Sequence, residues 1–344
     1  MNAVHQKIVD AVLKKAEQEC PGALDLVGIY GSVCTGDVHD HSDLDLLILI
    51  NDPKGYMLSK TFILEDEGIG YDIYCTTWES LTDDANCGHA HLSKLMDSEV
   101  IYVRDESVTE RLESLKNQAR EILGSDKRFE AIDGIREELC KIYGHAFVAE
   151  TIGQLRGWAA YMITLSLDAV MLWNGTYFKR GVKRTFEELE GLDIPDDFEK
   201  SIMRIVQAKN YIELGIALGT LFKSVMRFTE RRTRKDAPTM EKLAGTYEEM
   251  FSNWRNKMPE AAQRGDAFAS FMNLASLQYM LEDVGAENAI PKFSVLEEFD
   301  ASDLSKNAKI FDDALEDYRQ EYVKLGMDAK RFANMDEFVK EYLE

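Results

Sequence analysis

The spacing of apolar residues changes once along the chain, near residue 126, and this change restricts the folds that the sequence can adopt. Before it, short apolar runs alternate with polar turns, which is the pattern of β-strands. The strand candidates are residues 24–30, 44–50, 71–76 and 100–103. After it, apolar residues recur about every 3.6 positions in long segments, which is typical of packed helices. The pattern predicts an α+β protein.

The length of the chain predicts two domains. It has 344 residues, and a single hydrophobic core stops growing at roughly 250–300 residues. We predict a first domain over residues 1–125, with a mixed sheet and helices, and an all-α helical bundle over residues 126–344. The turn near Pro291 predicts that residues 291–344 form a helical appendage.

The charge of the chain narrows the class of partner. Lys and Arg number 40 against 62 Asp and Glu, which gives a formal net charge of −22. Such a chain repels the phosphates of nucleic acids, so a general DNA- or RNA-binding role is disfavoured. Cationic small molecules are the more natural partners.

Cysteine usage and hydropathy both indicate a cytoplasmic protein without a membrane partner. The five cysteines are widely scattered with no CxxC pair, so neither a disulfide framework nor a zinc site is indicated. The most apolar stretch, residues 146–173, is interrupted by Glu150, Arg156 and Asp168. A membrane span needs about 20 predominantly apolar residues, so none is predicted.

Residues 28–50 carry the arrangement with the most specific chemistry. A strand ends in Gly31-Ser32, and a second strand carries Asp43 and Asp45. Residues two apart in a strand point to the same face, so these two carboxylates project together while Leu44 points into the core. Paired carboxylates repel unless a cation neutralises them, and hard oxygen ligands suit Mg²⁺.

The turn before these acids has the composition of a phosphate cradle. Gly31 permits close approach of the backbone to a ligand. Ser32 and the amides that follow it, at the start of a short helix, are suited to phosphate oxygens. The segment therefore predicts a phosphate site that faces a metal site.

The pattern G-S-x₂-T-G-D-x₄-S-D-L-D-L resembles the signature of the DNA polymerase β-like nucleotidyltransferase superfamily. The resemblance covers about the first 105 residues and is densest over residues 28–50. Thr35-Gly36 and Ser42 make it similar to the small-molecule branch, which includes kanamycin-type and streptomycin-type aminoglycoside nucleotidyltransferases. The resemblance implies a polymerase β-like nucleotidyltransferase fold for the first domain and a third acid on a neighbouring strand. Asp72 fits that position.

What the resemblance implies for the reaction is transfer of a nucleoside monophosphate from ATP or another NTP to a hydroxyl, with release of pyrophosphate. It implies two Mg²⁺ ions, with Asp43 and Asp45 bridging both and Asp72 holding the ion that activates the acceptor. The implied nucleotide-binding residues in this segment are Gly31, Ser32, Thr35 and Ser42.

Residues 176–184 form a basic segment in this acidic chain, with the sequence TYFKRGVKR. One interpretation is that it contacts the triphosphate, with Lys179 and Lys183 as the expected contacts. The alternative is a solvated loop balanced by Glu187, Glu188 and Glu190. A second basic cluster closes the predicted helix 209–235, where cations complement the helix dipole, and consists of Arg227, Arg231, Arg232, Arg234 and Lys235.

Glu150 lies in a stretch that we interpret as an apolar helix, where a carboxylate is costly to bury unless it is paired or functional. In kanamycin-type enzymes a glutamate of the helical domain is the general base, so the resemblance implies that role for Glu150. The alternative is an ion pair with Lys141, His145 or Arg156. His39, His41, His89 and His91 are interpreted as exposed loop residues.

The leading hypothesis is a nucleotidyltransferase that acts on a small, hydroxylated and cationic acceptor such as an aminoglycoside. One alternative keeps the reaction but changes the acceptor to a protein or an RNA end. The other is a nucleotide-binding regulatory or antitoxin-like protein.

Overall fold

The structure is a computed structural model that describes residues 2–39, 42–66, 68–231 and 236–344. His41, Arg232, Arg234 and Lys235, which the sequence analysis considered, lie outside the described residues. The chain divides into two compact units, residues 1–231 and 232–344. The boundary predicted between residues 125 and 126 falls inside the first unit.

The first unit begins as a mixed α/β region and continues as helices. Its strands are β1 (Leu24–Ile29), β2 (Leu46–Ile50), β3 (Lys60–Leu64), β4 (Ile69–Ile73), β5 (Cys75–Thr77) and β6 (Glu99–Val103). The helices among them are α1 (Ala3–Glu19), α2 (Ser32–Thr35), α3 (Trp78–Ala85) and α4 (Ser93–Met96). Those that follow are α5 (Glu106–Leu123), α6 (Arg128–Phe147), α7 (Ile152–Trp173), α8 (Thr185–Glu188), α9 (Phe198–Gln207) and α10 (Tyr211–Phe228).

The strands form one mixed four-stranded sheet and one two-stranded sheet. The larger sheet has the order β5-β2-β1-β6, in which β1 is antiparallel to both of its neighbours and β5 runs parallel to β2. Strands β3 and β4 pair with each other as an antiparallel sheet. The prediction of an α+β protein with a mixed sheet and many helices is confirmed.

Strands β1 and β2 are buried along their whole length because the sheet is covered on both faces. Alternate residues of β2 enter different cores. Leu47 and Leu49 pack with residues of α3 and α5, whereas Leu46 and Ile48 pack with α1. Continuous apolar strands are therefore required here, and the two faces of the sheet are built from alternate side chains.

One hydrophobic core joins the sheet to the helices of the first unit. It runs from Leu26 and Leu49 through α5, α6 and α7 to Val225 on α10. Thr151 begins α7 with a capping box, in which its side chain and that of Gln154 satisfy each other's backbone amides. Because this core is continuous, the change in periodicity near residue 126 is a change of secondary structure inside one compact unit.

The second unit is helical. Its helices are α11 (Met240–Leu243), α12 (Thr246–Trp254), α13 (Lys257–Arg264), α14 (Ala267–Glu287), α15 (Leu304–Lys324) and α16 (Met335–Leu343). Phe311, Tyr318 and Tyr322 of α15 are buried in the same core as Leu243 and Leu277. Most of the segment predicted as an appendage therefore contributes to the core of this unit. Across the described residues, no helix is long and apolar enough to cross a membrane.

A buried carboxylate stabilises the sheet near the N-terminal end of β1. Asp25 is only 3% exposed and accepts hydrogen bonds from the Trp78 indole, at 2.6 Å, and from the side chain of Asn51. The guanidinium of Arg104 lies 2.6 Å from the same carboxylate. This cluster connects β1 to α3 and to the end of β6.

We expect Asp25→Ala to lower the free energy of unfolding by about 2 kcal/mol, because the Trp78 N–H would lose its acceptor in a buried position. The measurement is urea unfolding at pH 7. Arg104→Ala is the matched control and should cost less, because the Arg104 side chain is 38% exposed and water can replace it. Equal losses in the two variants would contradict this account.

Candidate active site

The turn that follows β1 is shaped by a contact between Gly31 and Asp45. Gly31 has a φ of 69°, and a Cβ placed on it would lie 1.9 Å from Oδ2 of Asp45. Any side chain at this position would collide with the carboxylate, and positive φ disfavours residues other than glycine. Because Gly31 has no side chain, the Asp45 carboxylate can reach the backbone amide of Ser32.

Asp43 and Asp45 lie on one face of the segment that enters β2. Leu44 and Leu46 are buried between and after them, whereas Asp43 is exposed and Asp45 half-buried. Burial raises the pKa of Asp45, and the charge of Asp43 raises it further, while a hydrogen bond from the backbone of Ser32 opposes both. The predicted pair of neighbouring carboxylates is thus present, and the two groups repel each other.

Asp72 lies on β4, in the neighbouring two-stranded sheet. Its side chain is exposed, and it accepts a hydrogen bond of 3.0 Å from the Thr61 hydroxyl on β3. Strand β4 pairs with β3 and not with β2, so Asp72 belongs to a different sheet from the strand that follows Asp45. Within the described ranges, no group of three acidic, His or Cys side chains is close enough to hold a metal ion.

Two hydroxyls that were predicted to bind nucleotide are engaged within the loop itself. The Ser42 side chain is buried and accepts a hydrogen bond of 2.9 Å from the backbone of His39. The Thr35 hydroxyl donates to the Asp37 carboxylate over 3.1 Å. Both contacts stabilise the path of the loop between Gly31 and Asp45.

The basic segment, residues 176–184, packs against this same loop. The Lys183 ammonium donates to the backbone carbonyl of Asp37 over 2.7 Å, and Nε of Arg184 donates to the Asp37 carboxylate over 3.0 Å. Burial alone would raise the pKa of Asp37, but the hydrogen bonds from Arg184 and Thr35, together with the charges of Arg180 and Arg184, outweigh it, and the pKa is lowered. The structure therefore places the segment beside the Gly31–Ser32 turn.

The four cations of this segment differ in how they are neutralised. Arg180 and Arg184 face Glu187 as well as Asp37. Lys179 lies over the ring of Tyr177 at 5.6 Å. Among the residues that the structure describes, Lys179 and Lys183 form no ion pair with a carboxylate. Acids thus balance the two arginines, as in the alternative of a charge-balanced loop. They do not balance the two lysines, which the other interpretation assigns to the triphosphate.

Glu150 is not in an apolar helix, as was predicted, but in the exposed connection between α6 and α7. Its backbone amide donates to the side chain of Gln154. The argument that burial makes it functional therefore does not apply. Helix α7 carries Asp168 near its other end, and at 1.5 Å per residue Ile152 and Asp168 lie about 24 Å apart. Among the residues that the structure describes, Glu150 forms no hydrogen bond or ion pair with Asp43 or Asp45.

Two pairs of carboxylate and histidine were missed as functional candidates. Asp84 lies 3.4 Å from His89 and 3.1 Å from Lys94, and the buried Asp168 lies 3.6 Å from His91. A hydrogen bond with Asp84 raises the pKa of His89 against the effect of burial. The two histidines lie close together in the sequence Gly88-His89-Ala90-His91. Their acidic partners would have marked them as candidates, but the spacing of residues along the chain does not reveal those contacts.

The first of these pairs, Asp84 with His89, lies near Tyr30. Its hydroxyl shares a hydrogen bond of 2.5 Å with that of Tyr74. Burial and this hydrogen bond raise the pKa of Tyr30, and the charges of Asp45 and Asp84 contribute in the same direction. Tyr30 is therefore near both carboxylates.

Comparisons with known proteins leave the family open. No protein-family model matches the sequence, and no curated protein matches it significantly. Among solved structures, the chain aligns with a nucleotidyltransferase-like protein from Exiguobacterium sibiricum 255-15. The alignment covers 82% of this chain and 92% of that chain, with 14% sequence identity and a TM-score of 0.35. The function of this chain must therefore be inferred from the geometry of the site.

We expect Asp45→Asn to leave stability at pH 7 unchanged or slightly higher. The raised pKa means that the folded protein holds this proton more tightly than the unfolded chain, so ionisation of Asp45 lowers stability as the pH rises through its pKa. The asparagine variant lacks this loss and should show less change in stability between pH 4 and 7. Thermal unfolding across that range tests it, with Asp283→Asn, at an exposed position on α14, as the control.

Proposed function

We propose that this chain is a Mg²⁺-dependent nucleotidyltransferase that transfers a nucleoside monophosphate, with AMP from ATP as the expected case, to a hydroxyl of a small cationic acceptor. The observation that carries the proposal is the contact of Asp45 with the bare Gly31 turn, with Asp43 beside it and a basic segment attached to the same loop. Paired carboxylates and a bare backbone turn, with a lysine bonded to the same loop, suit a metal–triphosphate complex.

The donor set fits Mg²⁺. Asp43 and Asp45 offer hard carboxylate oxygens, and the raised pKa of Asp45 reflects burial and a repulsion that a divalent cation would relieve. We assign two ions to Asp43 and Asp45, with Asp72 as the third ligand from the resemblance alone, since the described residues do not bring Asp72 together with this pair. When bound, the ions would neutralise charge on the attacking and leaving oxygens.

The remaining work of the site is positioning and electrostatic stabilisation. Gly31 allows the backbone to come close to the nucleotide, and the Ser32 amide holds the Asp45 carboxylate in place. Lys179 and Lys183 are the phosphate contacts, because the arginines between and after them already face Asp37 and Glu187. Glu150 is left out of this machinery because it is exposed and, within the described ranges, has no hydrogen bond or ion pair with the paired acids.

The acceptor is proposed from charge. A chain of net charge −22 attracts ammonium groups and repels RNA, which favours an aminoglycoside-like acceptor over an RNA end. A protein acceptor and a nucleotide-binding regulatory role without turnover are the alternatives. Pyrophosphate release from ATP with Mg²⁺, measured against a panel of aminoglycosides, hydroxylated metabolites and candidate proteins, separates the three. Wild-type protein that binds ATP but releases no pyrophosphate with any acceptor would favour the regulatory role.

We expect Asp43→Asn to reduce pyrophosphate release by at least a hundredfold while thermal stability is retained, because one charge of the metal site is lost.

ATP binding by the wild-type protein should require Mg²⁺, since the bare triphosphate would face Asp43 and Asp45 directly. Calorimetric titration with ATP, in Mg²⁺ and in EDTA, is the measurement. Equal affinity under the two conditions would exclude a carboxylate–metal–phosphate site.

We expect Lys183→Ala to weaken binding of Mg²⁺-ATP by about tenfold, with a smaller effect on the rate at saturating ATP, because it removes one phosphate contact. Lys200→Ala is the matched control, since Lys200 is exposed on α9 and pairs with Asp197 at 2.6 Å. Unchanged ATP affinity in both Lys183→Ala and Lys179→Ala would remove the basic segment from the proposed site.

A further inference from the structure

One buried aspartate binds three cations from a segment about 145 positions further along the chain, two through its carboxylate and one through its backbone carbonyl. Asp37 is 9% exposed. Nε of Arg184 donates to its Oδ1 over 3.0 Å, and Nε of Arg180 lies 3.7 Å from Oδ2. Its backbone carbonyl accepts the Lys183 ammonium over 2.7 Å. Both the side chain and the backbone of Asp37 therefore bind the basic segment.

On its other side, Asp37 is bonded to the turn that carries the candidate site. The Thr35 hydroxyl donates to Oδ2 over 3.1 Å, and the Asp37 amide donates to the carbonyl of Ser32 over 3.1 Å. The amide of Ser32 in turn binds the Asp45 carboxylate. Three successive hydrogen bonds thus connect Lys183 to Asp45 through Asp37 and Ser32.

The chain contains a natural comparison for Asp37. Glu187 also binds the two arginines, since its carboxylate lies 2.6 Å from Nη1 of Arg184 and 3.7 Å from Nη1 of Arg180. Glu187 is exposed and belongs to α8, directly after the basic segment. Both acids neutralise the same guanidinium groups, but only Asp37 joins them to the turn after β1.

We propose that Asp37 is a positioning residue, which holds the basic segment against the Gly31–Ser32 turn so that Lys183 reaches the triphosphate of a bound nucleotide. The attachment itself follows from the contacts above, while its role in nucleotide binding rests on the proposed function. Asp37 acts through Lys183 and Arg184, and it does not touch the nucleotide.

Positioning and simple charge balance predict opposite signs for the same substitution. If Asp37 only contributed negative charge, its removal would reduce repulsion of the triphosphate and strengthen binding. If it positions the segment, its removal lets Lys183 and Arg184 leave the turn, and binding weakens. Removal of Glu187 reduces the same negative charge without detaching the segment, so it should not weaken binding.

The first experiment compares Asp37→Asn with Glu187→Gln in calorimetric titrations with Mg²⁺-ATP at pH 7.5. We expect the dissociation constant to rise about fivefold in Asp37→Asn and to stay equal or fall in Glu187→Gln. Arg184→Lys is the second variant, because it keeps the charge but loses the planar donors, and it should also weaken binding. Unchanged or tighter binding in Asp37→Asn, in protein that unfolds at the wild-type temperature, overturns the proposal.

The second experiment needs no nucleotide. Amide hydrogen exchange over residues 181–185 should be faster in Asp37→Asn than in the wild-type protein, and unchanged in Glu187→Gln. Equal exchange in Asp37→Asn and wild type overturns the attachment, whatever the nucleotide data show. If exchange changes as expected but wild-type protein binds no Mg²⁺-ATP, the attachment stands while the nucleotide role fails together with the proposed function.

Discussion

The contact between Gly31 and the Asp45 carboxylate is the constraint on which the rest of the site depends. Because Gly31 has no side chain, the carboxylate enters the turn and accepts the Ser32 amide, which keeps a half-buried charge in place. Asp43 follows the same strand entry and lies on the same face. The two acids are therefore held close together. A backbone hydrogen bond stabilises the charge of Asp45, whereas the neighbouring charge of Asp43 destabilises it.

A second set of contacts extends this turn to a distant part of the sequence. The basic segment reaches the loop through Asp37, and its first residues are attached separately, since the Phe178 amide donates to the carbonyl of Ala90 and the Tyr177 hydroxyl to Asp97. The continuous core from the sheet to α10 holds both partners in one compact unit. A cationic surface is thus placed beside paired carboxylates, within a chain that is strongly acidic as a whole.

Charge in this protein therefore has to be considered locally. The net charge of −22 describes solubility and long-range attraction. At the site, among the residues described, Asp43 and Asp45 have no basic partner, and Lys183, which is bonded to the same loop, has no acidic one. The carboxylate–histidine pairs near Tyr30 add titratable groups to the same region. The proposed binding of a metal–nucleotide complex rests on this arrangement of opposite charges.

The sequence by itself determined those features that depend on neighbours along the chain. The cores of the strands, the Gly31 turn and the shared face of Asp43 and Asp45 follow from local periodicity and from the conformational freedom of glycine. Only the tertiary structure decided the partners of Lys183 and Arg184, the position of Asp72 in a separate sheet, and the exposure of Glu150. It also decided that the first helices after residue 126 share a core with the sheet. These features depend on which distant side chains pack together, and that cannot be derived from composition or from spacing along the chain.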